Sequence, residues 1–174
     1  MTMINKMRKI RNIVLSLLLC FSLYGCGIYS FSGTSIQPDV KTIAVEYFQN
    51  NALKVNPTLA ANLTDALIDQ YRRLTSLDIL TENGDMNVSG EITSYDTRPT
   101  AVTADEVASQ NRLTVTVKIY FTNRLHPEED FEKSFSAYAD YDSNQLLDAV
   151  EGSLCDEIID ILVEDIFNAT VANW

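Results

Sequence analysis

Three kinds of side chain in this 174-residue chain could do chemistry: thiols at Cys20, Cys26 and Cys155, one imidazole at His126, and a large population of carboxylates. The imidazole lies in the turn Leu125-His126-Pro127-Glu128-Glu129-Asp130, where Glu128 and Glu129 could be imagined beside it as metal ligands. A single histidine excludes a poly-His site, and a closed structural metal site needs more His or Cys ligands than this turn offers. A hydrophilic turn is the expectation, with no metal and no cofactor. Asp156-Glu157 and Glu164-Asp165 are adjacent acids, but catalytic carboxylates need separation, burial and unequal environments. These four fall on the polar side of a helix. No Ser or Cys stands in a nucleophile setting such as G-x-S-x-G, and no glycine-rich phosphate loop is present. The chain is expected not to be an enzyme.

The thiols remain. Residues 1–12 carry Lys6, Arg8, Lys9 and Arg11 with no acid, and the following dozen, IVLSLLLCFSLY, are almost wholly apolar. That is the layout of an export signal, and the apolar run is too short for a span of roughly 20 residues. Leu23-Tyr24-Gly25-Cys26 resembles the bacterial lipobox, whose cysteine is lipidated and becomes the first mature residue. Gly25 suits a peptidase that needs a small residue before the cut, whereas Leu19 before Cys20 does not. The expected division is a lipoprotein signal peptide over 1–25 and a lipidated N-terminus and tether over 26–40, with Cys26 carrying the lipid. Cys20 then leaves with the leader. Cys155 has no mature thiol to pair with and reads as a buried small hydrophobe. Gly27 rather than Asp follows Cys26, so the familiar inner-membrane retention signal is absent. The expected address is the periplasmic face of the outer membrane.

The whole chain has net charge −11, with thirteen bases against twenty-four acids. Without the leader's four bases, nine remain against twenty-four acids, a net of −15. Nucleic-acid recognition rests on neutralising phosphates with Lys and Arg, so this composition excludes it. The length after the leader suits one ordinary domain, expected over 41–174.

The elements that must position any functional surface follow from periodicity. Thr42 to Phe48 reads as a first strand, followed by QNNALKV as a loop. Asn56-Pro57 offers a helix start, and Leu59, Leu63, Leu67 and Leu74 lie on one face of the helix that follows. SLDIL is a short strand. Met86 to about Thr97 alternates, with Val88, Gly90 and Ile92 opposite Ser89, Glu91 and Thr93. The strictest strand is NRLTVTVKIYFTN, with Leu113, Val115, Val117, Ile119 and Phe121 on one face. DFEKSFSAYADY continues the alternation through Phe131, Phe135, Ala137 and Ala139. Asp142 and Gln145 stand at capping-box spacing before a long amphipathic helix. Its apolar face is read as Leu147, Val150, Leu154, Ile158, Ile161, Leu162, Ile166 and Phe167, and its acidic face as solvated. The expected fold is α+β: two α-helices packed on one face of a mostly antiparallel four-stranded sheet with an additional short strand. Such strict alternation leaves the other sheet face open to water or to a partner.

CGIYSFSGTSI, KTIAVEYFQNNALKVNPTLA, RLTVTVKIYFTN and VEDIFNATVANW together resemble the lipopolysaccharide-assembly lipoprotein family LptE, in the form found in Bacteroidota. The four segments are spread over essentially all of the chain after Cys26. The resemblance implies a fold of two helices on a sheet. It further implies a partner, the LptD-like outer-membrane β-barrel, which the family plugs and helps to assemble while lipopolysaccharide is delivered to the outer leaflet. Lipopolysaccharide itself is implied as a candidate ligand. The family touches it through basic residues, and no individual family position can be matched to Arg98, Arg112, Lys118 or Arg124 in this acidic domain. The other function left open is an adaptor lipoprotein of a different secretion or envelope-biogenesis machine, since small α+β domains serve many roles.

Overall fold

The computed structural model describes residues 36–54, 56–100 and 110–171. The expected leader, Cys26 and the expected tether up to residue 35 lie outside the described residues, as do the interior of the Pro99 to Gln110 loop and the last three residues.

The described residues form six strands and two α-helices: β1 (Thr42–Val45), β2 (Gln49–Asn50), α1 (Leu59–Leu74), β3 (Asp78–Leu80), β4 (Met86–Pro99), β5 (Gln110–Asn123), β6 (Phe131–Asp142) and α2 (Leu147–Val171). A 3-10 turn, Pro127–Glu129, joins β5 to β6. The α+β class and the two helices agree with the sequence reading. The sheet does not: it is mixed and six-stranded, in the order β3-β1-β4-β5-β6, with β2 also paired to β4. β1 runs parallel to both β3 and β4, β2 is parallel to β4, and only β4-β5 and β5-β6 are antiparallel. The physical reason is α1. A strand, a helix and a strand in succession form a crossover, and a crossover returns the chain parallel to where it began.

QNNALKV is therefore not all loop. Glu46 N still donates to Val88 O (2.9 Å), after which the chain leaves β4 and rejoins it at Gln49↔Glu91, and Phe48 in the gap is wholly buried. Gly90 makes room for this ring: a Cβ there would lie 2.7 Å from Phe48 Cε1 and 2.6 Å from the Lys118 carbonyl oxygen.

The alternation of β4 holds up to Ile92. Thr93 is then an extra residue, for Ile92 pairs with Val117 and Ser94 with Thr116, so the covered face passes from Val88 and Ile92 to Tyr95. This is a β-bulge. In β5, Leu113, Val115, Val117, Ile119 and Phe121 are all buried, and in β6 Phe135, Ala137, Ala139 and Tyr141 lie beside them. Onto this face pack Leu59, Leu63, Leu67 and Tyr71 of α1 and Leu154, Ile158, Leu162 and Ile166 of α2, forming one core.

Both helix starts differ in detail from expectation. Helix α1 begins at Leu59, and Leu74 at its end is exposed. Asn56 nevertheless does the work of a cap, its Oδ1 accepting from the backbone N–H groups of Thr58 (3.0 Å) and Leu59 (3.1 Å). Helix α2 begins at Leu147, because Asp142 closes a turn of its own, accepting from Asn144 N at its carboxylate (2.8 Å) and from Gln145 N at its carbonyl (3.0 Å). Ile161, read as core, is 40% exposed, whereas Cys155, Ile159 and Val163 are buried.

Candidate partner interface

The helices occupy one face of β4-β5-β6 and leave the other open. Its side chains come from Ser89 and Glu91 on β4, from alternate residues Arg112 to Tyr120 on β5, and from alternate residues Glu132 to Asp140 on β6. They are half-buried or exposed. Strand register places complementary groups opposite one another on this face. Arg112 faces Asp140 and binds it with both arms of its fork, Nε to Oδ1 at 2.7 Å and Nη2 to Oδ2 at 2.9 Å. The same guanidinium lies 3.6 Å from the centroid of the Tyr138 ring. Lys118 meets Glu132 at 2.5 Å and sits 5.1 Å from the Tyr120 ring centre. Between these pairs, Thr116 Oγ1 and Ser136 Oγ are 3.1 Å apart.

Titration follows the pairing. Hydrogen bonding to Arg112 holds the Asp140 carboxyl below the usual range, and Asp140 in turn raises Arg112. Lys118 is pushed up, first by its bond to Glu132 and then by the one to Tyr120. The face is thus polar and rich in hydroxyls, with Arg112 and Lys118 each matched by a carboxylate, while Glu91 accepts from Asn51 and Tyr120. Toward β1 it deepens into a groove of about 800 Å³ whose lining includes Glu46, Tyr47, Glu82, Asn87 and Tyr120, and no base.

Each described residue singled out by chemistry has a definite place. His126 pairs with Asp39, its Nε2 at 3.1 Å from both carboxylate oxygens, while Nδ1 is 3.6 Å from Glu128. Glu129 turns elsewhere, accepting from Asn123 Nδ2 (2.8 Å) and from Gln37. The imagined ligand trio is therefore divided, and among the described residues no three His, Cys, Asp or Glu side chains gather to hold a metal. The reading missed Asp39, which lies 87 residues from His126 in sequence.

Cys155 is a free, buried thiol, raised in pKa by burial, and Asn56 Nδ2 points at its sulfur from 3.7 Å. Asp156, Glu157, Glu164 and Asp165 are exposed, without the unequal burial that separates an acid from a base. All four bases considered as ligand contacts have carboxylate partners: Arg98 with Asp96 (2.6 Å), Arg112 with Asp140 (2.7 Å), Lys118 with Glu132 (2.5 Å) and Arg124 with Asp85 (3.5 Å). Cys26 lies outside the described residues. No described helix is long and apolar enough to cross a membrane.

These features define a class: a small α+β domain with a helix-covered core and an open, hydroxyl-rich sheet face. Residues 40–170 match the family model described as "LptE: Lipopolysaccharide-assembly". The chain belongs to the LptE family.

Sixty-five solved chains match it in structure. Rare lipoprotein B from Shewanella oneidensis is similar at TM-score 0.50 and 9% identity, over 74% of this chain and 90% of that one. A minor lipoprotein from Acinetobacter baumannii is similar at TM-score 0.43 and 16% identity, over 73% and 89%. At 9% identity the likeness to the Shewanella protein is one of fold alone. No curated protein sequence matches the chain.

Proposed function

We propose that this chain is a non-enzymatic lipoprotein of lipopolysaccharide assembly, anchored through Cys26 to the periplasmic face of the outer membrane, where it partners and plugs an LptD-type β-barrel. Family membership supplies the process, lipopolysaccharide assembly. The observation that carries the partnership is the open face of β4-β5-β6. A water-filled barrel has a polar interior. A plug for it needs a surface that stays soluble yet offers hydrogen bonds without unpaired buried charge. Hydroxyls interleaved with the Arg112-Asp140 and Lys118-Glu132 pairs meet that need.

Direct capture of lipopolysaccharide is a separate matter. An anionic glycolipid calls for free cations, and the four candidate bases are already occupied by carboxylates. Assembly and plugging of the barrel is therefore the role this surface favours.

Affinity purification of the tagged chain from solubilised membranes tests the partnership. A large outer-membrane β-barrel should copurify, and its absence sinks the proposal. Depletion separates this role from that of another envelope adaptor, because only the barrel partner predicts loss of lipopolysaccharide from the cell surface.

A further inference from the structure

The two edges of the sheet are built differently. β3 is three residues long, too short to offer a ladder. β6 runs for twelve residues in unbroken register with β5, without a proline or a bulge, and Ser134 to Ala139 in its centre carries no charge. Long, regular outer strands are templates for pairing, which proteins ordinarily blunt with bulges, prolines or central charges.

The backbone polarity of β6 can be derived. Thr100 N donates to Gln110 O (3.0 Å) at one end of the β4-β5 ladder, and Arg124 N to Asp85 O (2.9 Å) at the other. Even-numbered residues of β5 thus direct their backbone groups to β4, and odd-numbered ones to β6. Val115 faces Ala137 and Leu113 faces Ala139, so the odd-numbered residues of β6 complete that ladder. Ser134, Ser136 and Tyr138 turn their N–H and C=O groups outward, and among the described residues no further strand meets them.

Below this edge lies α2. Its Phe167 and Thr170 touch Tyr71 and so face α1. Ile158 and Leu162 face the sheet and are fully buried. Ile161 is about 120° around the helix from Phe167, on the flank away from α1. Because α1 lies on the β1 and β3 side, that flank runs beneath the outer edge of β6. Ile161 is 40% exposed there, with the acids Glu157, Glu164 and Asp165 around it. Helix α2 contains no lysine or arginine.

We propose that the free edge of β6, floored by the Ile161 flank of α2, is a strand-docking site for an extended segment of a partner protein whose floor-facing side chains are apolar or basic. Backbone pairing supplies the affinity, as in other strand additions, and the floor selects the side chains. An apolar residue covers Ile161. Lysine or arginine beside it lays its aliphatic stem on the same surface and carries its charge to Glu157 or Asp165. A second copy of this chain fits poorly, because it brings the same acids.

The test uses the full-length, isotope-labelled protein in detergent micelles and the peptide Thr-Lys-Thr-Val-Thr-Lys-Thr at millimolar concentration, read by amide hydrogen exchange. Exchange at Ser134, Ser136 and Tyr138 should slow by about tenfold or more, while Phe135 and Ala137, already bonded to β5, stay as they are. The same peptide with glutamate for lysine should give no protection. Ser136→Pro removes one outward donor at a position where an edge strand tolerates proline, and Ile161→Glu spoils the floor. Each should abolish the protection, and the surface position of Ile161 keeps the test usable if the proline variant fails to fold. Unchanged exchange on β6, or equal protection by the glutamate peptide, overturns the proposal. So does protection that grows with protein concentration without peptide, which would make the edge a self-association surface.

Discussion

Tyr71, wholly buried, and Thr170, half-buried, form a hydrogen bond whose two halves should behave unequally when removed. Tyr71 is wholly inaccessible, its hydroxyl is 2.6 Å from Thr170 Oγ1, and burial pushes its ionisation far above the usual range. Thr170 Oγ1 also lies 3.0 Å from the carbonyl oxygens of Ile166 and Phe167, so its single proton goes to one of them. Tyr71 is therefore the donor. Tyr71→Phe deletes that donor and leaves Thr170 with its carbonyl bond, at a cost of about 1 kcal/mol. Thr170→Val deletes the acceptor and strands a buried phenol hydroxyl, which costs about 2 kcal/mol and up to ~3. In the double variant neither polar group remains, and the total should fall back to about 1 kcal/mol or less, since removing both partners of a buried bond is nearly neutral.

Urea unfolding of the purified protein, followed by circular dichroism, reads these differences as midpoint shifts. With a slope of about 2 kcal/mol per molar urea, Thr170→Val should move the midpoint by about 1 M and Tyr71→Phe by about half as much. The Tyr71 and Phe167 ring centroids, 5.4 Å apart, keep their packing in both single variants. Two results would refute the reasoning: a Thr170→Val no worse than Tyr71→Phe, or a double variant equal to the sum of the singles.

Three further expectations concern other links between sequence and fold. Gly90→Ala places a Cβ 2.6 Å from a backbone oxygen of the next strand and should cost about 1–3 kcal/mol in thermal unfolding; Gly152→Ala, with nothing within 4 Å on an exposed turn of α2, should stabilise by about 0.5–1 kcal/mol. Asp39 raises His126, and His126 lowers Asp39. The pair's contribution is whole between the usual carboxylate and imidazole values, about pH 4 to 6.5. It fades as pH rises through the raised imidazole value or falls through the lowered carboxyl value, so the stability gap between wild type and His126→Gln should be widest near about pH 5–6 and narrow on either side. Cys26→Ala should leave the chain unprocessed or soluble and without radiolabelled palmitate, whereas Cys20→Ala should change nothing; a normally lipidated Cys26→Ala product would defeat the assignment.

Local patterns were legible, and pairings between distant segments were not. From Leu113 to Phe121, β5 could be read residue by residue because each position on its covered face is apolar and each on the other carries a polar group. Asn56 showed its capping role through its own type and its place before proline. The parallel placement of β1 had a signal that periodicity alone did not use: strand, helix, strand in succession is the signature of a crossover. The bulge at Thr93 had none, since Thr is at home in any strand and the shift appears only against Val117 and Thr116. Ile161 looked like core because helical spacing reports a stripe, and the width of the stripe that is covered depends on where α1 lies. His126 found Asp39 through tertiary folding, beyond the reach of any motif.

The distribution of charge is what joins this fold to its proposed role. The chain's net charge of −11 could have been spread over every surface, and it is not. On the open sheet face the carboxylates of Asp140 and Glu132 are matched by Arg112 and Lys118, so a partner laid against it meets hydroxyls, aromatic edges and balanced pairs. Helix α2 carries Asp148, Glu151, Asp156, Glu157, Asp160, Glu164 and Asp165 with no base, and its last turn has no cation against the helix dipole. Fixed self-repulsion of this kind lowers stability while keeping a surface hydrated and resistant to self-association. The proposed lipid-anchored plug needs both properties at once: one face whose cations are all paired and whose hydroxyls suit a polar lumen, and another charged enough to keep copies gathered on one membrane from adhering to each other.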